Sequence, residues 1–171
     1  MIRNAELAVF TILLIAFALA LPACSVTNLE GFHARDGSMW SSYIITAEDD
    51  TTKILTEVMI PHDDYIECTY DEWVYPFSEE DKRETETILN RHAVLWHGDH
   101  YWPLIPVFDG VTLAIDVQYH GKTKEIWCNN NIPPALPRIP RDIIAYYQQT
   151  YPDVEPTRLP LPDPADPPDP Q

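Results

Sequence analysis

The sequence predicts an α+β domain: a small antiparallel sheet with two helices packed on one face. Three observations carry this expectation. Short runs that alternate apolar and polar residues recur between Tyr43 and Cys128. Two helical segments are signalled, one opening at Ser78 and one near Pro140. The order is strands, helix, hairpin, helix, which segregates helices to one side of a sheet.

The first strand is Tyr43-Ile44-Ile45-Thr46, closed by a turn over Glu48–Thr52. Ile54 to Ile60 is a second strand, and Pro61-His62-Asp63-Asp64 turns the chain again. Tyr65 to Tyr70 is a third, with Ile66, Cys68 and Tyr70 on one face. Ser78-Glu79-Glu80-Asp81 then supplies an N-cap, an acid at the third helical position and a negatively charged first turn. This helix is expected to reach about Arg91, with Ile88 and Leu89 inward.

His92 to Trp96 reads as a short strand, and the prolines of Trp102-Pro103-Leu104-Ile105-Pro106 read as irregular chain. The clearest strand is Val111 to His120. Val111, Leu113, Ile115, Val117 and Tyr119 share one face. A two-residue turn, His120-Gly121, returns the chain as Thr123 to Cys128. That turn sets Ile115 opposite Ile126 and Leu113 opposite Cys128, which places Cys128 on the core face. The last helix is expected over about Pro140 to Gln149, with Ile143, Ile144 and Tyr147 inward.

The 171 residues include 27 acids against 11 Lys and Arg, for a formal net charge of −16. Such a chain lacks the basic face that a phosphate backbone requires, so nucleic acid is excluded as a partner. The same charge argues against peripheral adhesion to anionic lipid. With 45% hydrophobic residues the chain is not wholly disordered.

The N-terminus carries an address. Leu7 to Leu21 is uncharged, with Thr11 its one polar residue. As a helix it spans roughly 22 Å, short of the hydrocarbon core of a bilayer, and so suits a signal peptide. Leu21-Pro22-Ala23-Cys24-Ser25 resembles the lipobox of bacterial lipoproteins, with Leu at −3, a small residue at −1 and Cys at +1. Pro22 departs from the small residue usual at −2. The resemblance implies lipidation of Cys24, cleavage before it, and, with Ser25 rather than Asp following, an outer-membrane location on the periplasmic side. The alternative is ordinary secretion, with cleavage after Ala20 or Ala23. Of the three cysteines, Cys68 and Cys128 would then remain to pair as a disulfide in an oxidising compartment. The alternative for them is two buried free thiols.

Four segments follow: a signal peptide at 1–23, a lipidated N-terminus and flexible tether at 24–39, the α+β domain at 40–151, and a disordered Pro/Asp-rich tail at 152–171. The tail has eight prolines in its 20 residues. Within the domain, Pro76 to Tyr147 is similar to the emfourin-type protealysin inhibitors. The similarity rests on Ser78-Glu79-Glu80, on Asp109-Gly110 before Thr112-Leu113-Ala114-Ile115-Asp116-Val117, on Gly121, and on Ile132-Pro133-Pro134-Ala135-Leu136. It implies a sheet-plus-helix fold and blocking of secreted metalloproteases. The family's Gly-rich inhibitory segment has no counterpart, so no inhibitory residue carries over.

No catalytic motif is present: there is neither a Gly-x-Ser-x-Gly nor an HExxH. Asp116, with His120 and Glu125 near it in sequence, reads as an outward, solvated strand face. The densest polar cluster is His97-Gly98-Asp99-His100, preceded by His92 and flanked by Trp96 and Trp102. Its His and Asp are zinc-ligand types, but Gly98 marks a loop. Trp96, His97, Asp99, His100 and Trp102 are therefore expected to form an interaction surface, since aromatics dominate binding hot spots. No cofactor and no catalytic residue is expected. The function expected is a membrane-anchored, non-catalytic module that binds a protein partner of basic character in the periplasm or envelope, as an inhibitor or immunity-like protein. A structural or accessory envelope lipoprotein is the alternative, and a small metal-binding or hydrolytic protein using the His97–His100 loop is the third.

Overall fold

A computed structural model describes residues 25–37, 42–61, 66–103 and 111–160. The expected signal peptide, Cys24, Trp40, Asp109-Gly110 and the tail beyond Pro160 lie outside these residues. The elements are β1 (Leu29–Gly37), β2 (Ser42–Glu48), β3 (Thr51–Pro61), β4 (Ile66–Pro76), α1 (Glu79–Arg91), a 3-10 turn η1 (Val94–Trp96), β5 (His100–Tyr101), β6 (Thr112–Tyr119), β7 (Lys122–Asn129), α2 (Arg138–Thr150) and β8 (Thr157–Pro160). The class is α+β, but the sheet is not small. It has eight strands in the order β5-β7-β6-β1-β2-β3-β4-β8. It is also mixed, because β5 pairs with β7 in parallel.

Inward residues of the central strands meet both helices in one core. Phe32, Ala34, Ile45, Ile54, Leu113, Ile115, Val117 and Ile126 pack with Ile88 and Leu89 of α1 and with Ile139, Ile143 and Tyr147 of α2. The β6–β7 hairpin has the register that its alternation predicts, Ile115 opposite Ile126 and Leu113 opposite Cys128. His120 and Gly121 both have positive φ, 50° and 65°, the geometry that matches the right-handed twist of a hairpin.

Three expectations are corrected. The stretch expected to be a tether contains β1, which lies at the centre of the sheet with Leu29, Phe32 and Ala34 buried. A bulge at Glu30 puts Leu29 and Phe32 on the core side three residues apart, which breaks the period-two pattern. The tail contributes β8, an edge strand against β4, and its prolines are tolerated there because an edge need not donate. His92–Trp96 is not a strand. Ala93 takes a left-handed conformation, φ 51°, and Val94–Trp96 coil behind it.

The helix layer is joined at Asp81, which is fully buried. Its carboxylate closes the capping box with Ser78. It also accepts from the hydroxyls of Tyr146, at 2.8 Å, and Tyr151, at 3.0 Å. Tyr147 donates to or accepts from Thr52 at 2.8 Å, and its ring lies 5.0 Å from that of Tyr75. Burial pushes the Asp81 pKa up, but the donors from Ser78, Tyr146 and Tyr151 outweigh it and hold the carboxyl below its ordinary value. Asp81→Ala would strand three hydroxyls and a cap, so urea denaturation is expected to show a loss of roughly 3 kcal/mol. A depressed native pKa stabilises fully above the unfolded value, about 4, and the contribution is lost as pH falls through the native value. Denaturation between about pH 5 and 2 should therefore show a steeper acid loss in the wild type than in Asp81→Asn.

Candidate functional site

The expected surface residues Trp96, His97, Asp99, His100 and Trp102 come together at the β5 edge of the sheet. Val94, buried beneath η1, anchors the approach, and its burial offsets the left-handed Ala93. The loop is then pinned by backbone and side chain. The Trp127 amide donates to the Asp99 carbonyl at 2.8 Å. The Gly98 amide donates to the Tyr101 hydroxyl at 2.8 Å, and His97 Nδ1 lies 3.3 Å from the same hydroxyl. Asp99 pairs with Lys124 of β7. The hydrogen bond and charge of that ammonium hold the Asp99 carboxyl below the usual carboxylate range.

On this frame stand three exposed indoles. Trp96 is 66% exposed, Trp102 54% and Trp127 41%. Trp102 and Trp127 meet edge to face with ring centroids 5.0 Å apart, a geometry aromatic quadrupoles favour. Trp127 is a site residue that the sequence reading overlooked. The signal was present, since Ile126 and Cys128 inward oblige Trp127 to point outward.

The polar groups of the loop are engaged with each other. Asp99 is held by Lys124, and His97 faces Tyr101. His92 turns away from the loop to α2, its Nε2 2.7 Å from Asp142 Oδ2. Among the described residues no group of three or more His, Cys, Asp and Glu is placed to hold a metal ion.

The outward face of the sheet carries a row of titratable residues. Asp116 stands opposite Glu125 on one side and His33 on the other. His120 is not part of this row. Its ring lies at the hairpin turn, 2.7 Å from Thr27 Oγ1 and 3.1 Å from Asn28 Nδ2. Burial and then the Glu125 charge push the Asp116 pKa up, with His33 opposing them. His33 Nδ1 also lies 3.2 Å from Thr46 Oγ1.

A second projecting feature is an arm. Pairing of β2 with β3 stops at Tyr43 opposite Thr56, whereas β3 and β4 stay paired out to Pro61 opposite Ile66. β8 still flanks the first two of these five further pairs, so the last three, from Met59 opposite Cys68 to Pro61 opposite Ile66, extend roughly 10 Å beyond the sheet. Met59 and Cys68 face each other across the arm, and Met59 is exposed.

The expected Cys68–Cys128 bridge is not formed; both cysteines are free. Cys68 is on β4 and Cys128 on β7, with β6, β1, β2 and β3 between them. They also belong to opposite faces, Cys128 in the core and Cys68 on the outward alternation of β4. A disulfide needs Cα atoms within about 7 Å. No protein-family model, no curated protein and no solved structure matches the chain.

Burial pushes the Cys128 thiol up to about 11, so it has little thiolate with which to react. Ellman's reagent is expected to titrate Cys68 in the native protein and Cys128 only after denaturation. Prior reduction should leave both counts unchanged.

Proposed function

We propose that this chain is an outer-membrane-anchored lipoprotein whose domain is non-catalytic and binds a periplasmic or envelope protein, in the manner of an inhibitor or immunity protein. The observation that carries the binding half is the exposed Trp102–Trp127 pair at the β5 edge of the sheet, with exposed Trp96 on the loop before it. Large aromatics that are already ordered lose little entropy on docking, which is why they dominate hot spots. The charge of −16 adds attraction toward a basic partner and speeds encounter. The lipobox-like Leu21-Pro22-Ala23-Cys24 supports the anchoring half, and acylation at that residue exceeds the marginal hold of a single chain. The similarity of Pro76–Tyr147 to emfourin-type inhibitors supports the inhibitory form of the reading.

A second reading, an accessory envelope lipoprotein, is favoured by the β3–β4 arm, a projecting strand pair that carries the exposed Met59. The metal-binding reading is weaker, because the Asp99 carboxylate is taken by Lys124 and His97 by Tyr101.

Intact mass of membrane-extracted protein tests the anchor. The expected mass is that of residues 24–171 carrying diacylglycerol and an amide-linked acyl chain; an unacylated mass overturns it. Partner capture with the anchored protein tests the surface. Trp102→Ala or Trp127→Ala is expected to weaken the captured complex by about 2 kcal/mol, roughly thirtyfold in Kd by calorimetry. Unchanged affinity would move the contact to the arm.

A further inference from the structure

The chain is fastened to the fold almost as soon as it leaves residue 24. Val26 is fully buried. The carboxamide of Asn90, in the last turn of α1, holds both polar groups of its backbone. The Val26 amide donates to Asn90 Oδ1 at 2.6 Å, and Asn90 Nδ2 donates to the Val26 carbonyl at 2.8 Å. The Leu29 amide donates to Glu86 Oε1 at 2.8 Å. On the other side the β6–β7 turn grips the same segment. His120 meets Thr27 and Asn28, and the Gly121 amide donates to Glu30 Oε1 at 2.8 Å.

Two peptide units separate residue 24 from Val26, a reach of at most about 8 Å. A flexible tether over residues 24–39 would have allowed an r.m.s. reach of roughly 20 Å. A lipid on Cys24 would therefore draw the clamped rim itself to the bilayer. That rim comprises Ser25–Leu29, the last turn of α1 at Asn90, and the His120–Gly121 turn with exposed Lys122. Lys122 offers this rim a cation beside the exposed Glu30, so it is the short covalent reach, not charge, that would bring the rim to the headgroups. The arm points the other way, since ten register steps along β3, from Thr51 at the rim end to Pro61, cover roughly 33 Å.

We infer that in the anchored protein this rim lies directly against the phospholipid headgroups, so that the domain is held flush and in one orientation with the β3–β4 arm directed away from the bilayer. The inference rests on the Cys24 lipidation proposed above. It assigns the partner surface of the rim to lipid and leaves the indole edge and the arm to protein.

Fluorescence quenching in vesicles tests it. The full chain, processed in a bacterial host, is reconstituted in phosphatidylethanolamine–phosphatidylglycerol vesicles that contain headgroup-nitroxide lipid. A fluorophore on the native Cys68 reports the arm. The same fluorophore on Lys122→Cys, in a Cys68→Ser background, reports the rim. The expected result is a large loss of fluorescence at position 122 and almost none at position 68. A ten-residue Gly/Ser insertion between Ser25 and Val26 is expected to abolish the loss at 122 while acylation and vesicle flotation persist. Equal loss at the two positions, or a loss at 122 that survives the insertion, overturns the inference and leaves the lipoprotein reading intact. A chain without acyl mass that does not float with vesicles overturns both.

Discussion

The helix layer depends on one buried anion. Helices of 13 residues such as α1 and α2 are marginal by themselves, and what aligns them is the carboxylate of Asp81. It receives the Ser78 amide at the start of its own helix and the hydroxyls of Tyr146 and Tyr151 from α2 and its C-cap. No cation among these partners neutralises it; its charge is spread over donors from two helices. Such a charge-assisted set is stronger than neutral hydrogen bonds, and leaving it half-made is costly. The position of α1 is fixed at this end. Five and nine residues on, roughly 8 and 14 Å along the axis, the same helix presents Glu86 and Asn90 to the N-terminal segment. The hub and the N-terminal clamp are thus two ends of one lever, and the geometry of the second follows from the first.

The sheet divides its labour by face and by edge. The inward face is committed to the core with both helices. The outward face carries the Glu125–Asp116–His33 row, which the ladder holds in register. The exposed indoles and the projecting arm lie at the margins, the indoles at the β5 edge and the arm where β3 and β4 outrun β2. The β7 edge that β5 leaves uncovered carries Lys122, Lys124 and Glu125, charges that discourage strand addition there.

Local chemistry was legible in the sequence wherever neighbouring residues decide the outcome. Ser78 and Asp81 form the capping box that their spacing implies, and His120-Gly121 sets the hairpin register. The co-location of Trp96, His97, Asp99, His100 and Trp102 on one loop was equally readable, being a matter of chain proximity. What could not be read depended on distant partners. β1 looked like tether because its outward residues are polar and its bulge disturbs the alternation, while its inward ones are supplied with partners by β2 and β6. β8 is four residues that form only because β4 offers an edge. The role of Asp81 as a hub needed Tyr146 and Tyr151, 65 and 70 residues further on. The disulfide expectation failed for the same reason: cysteine counting ignores strand order, and four strands intervene.

The free thiols change what must hold the domain together. Without a covalent cross-link, stability rests on the shared core and on the polar contacts at its ends. The buried Val26 then bears on stability as well. It is the first described residue of the core cluster in chain order, so any force on the residues before it acts at once on Asn90 and α1. Such a force is carried into the helix layer and, through α1, to Asp81. The path runs from the backbone of Val26 through the Asn90 carboxamide and α1 to the Tyr hydroxyls on Asp81. A domain fastened in this way is poorly suited to swinging on a leash. The rigidity of α1 and the sheet instead fixes where the β5 edge and the β3–β4 arm lie relative to the first residues of the fold.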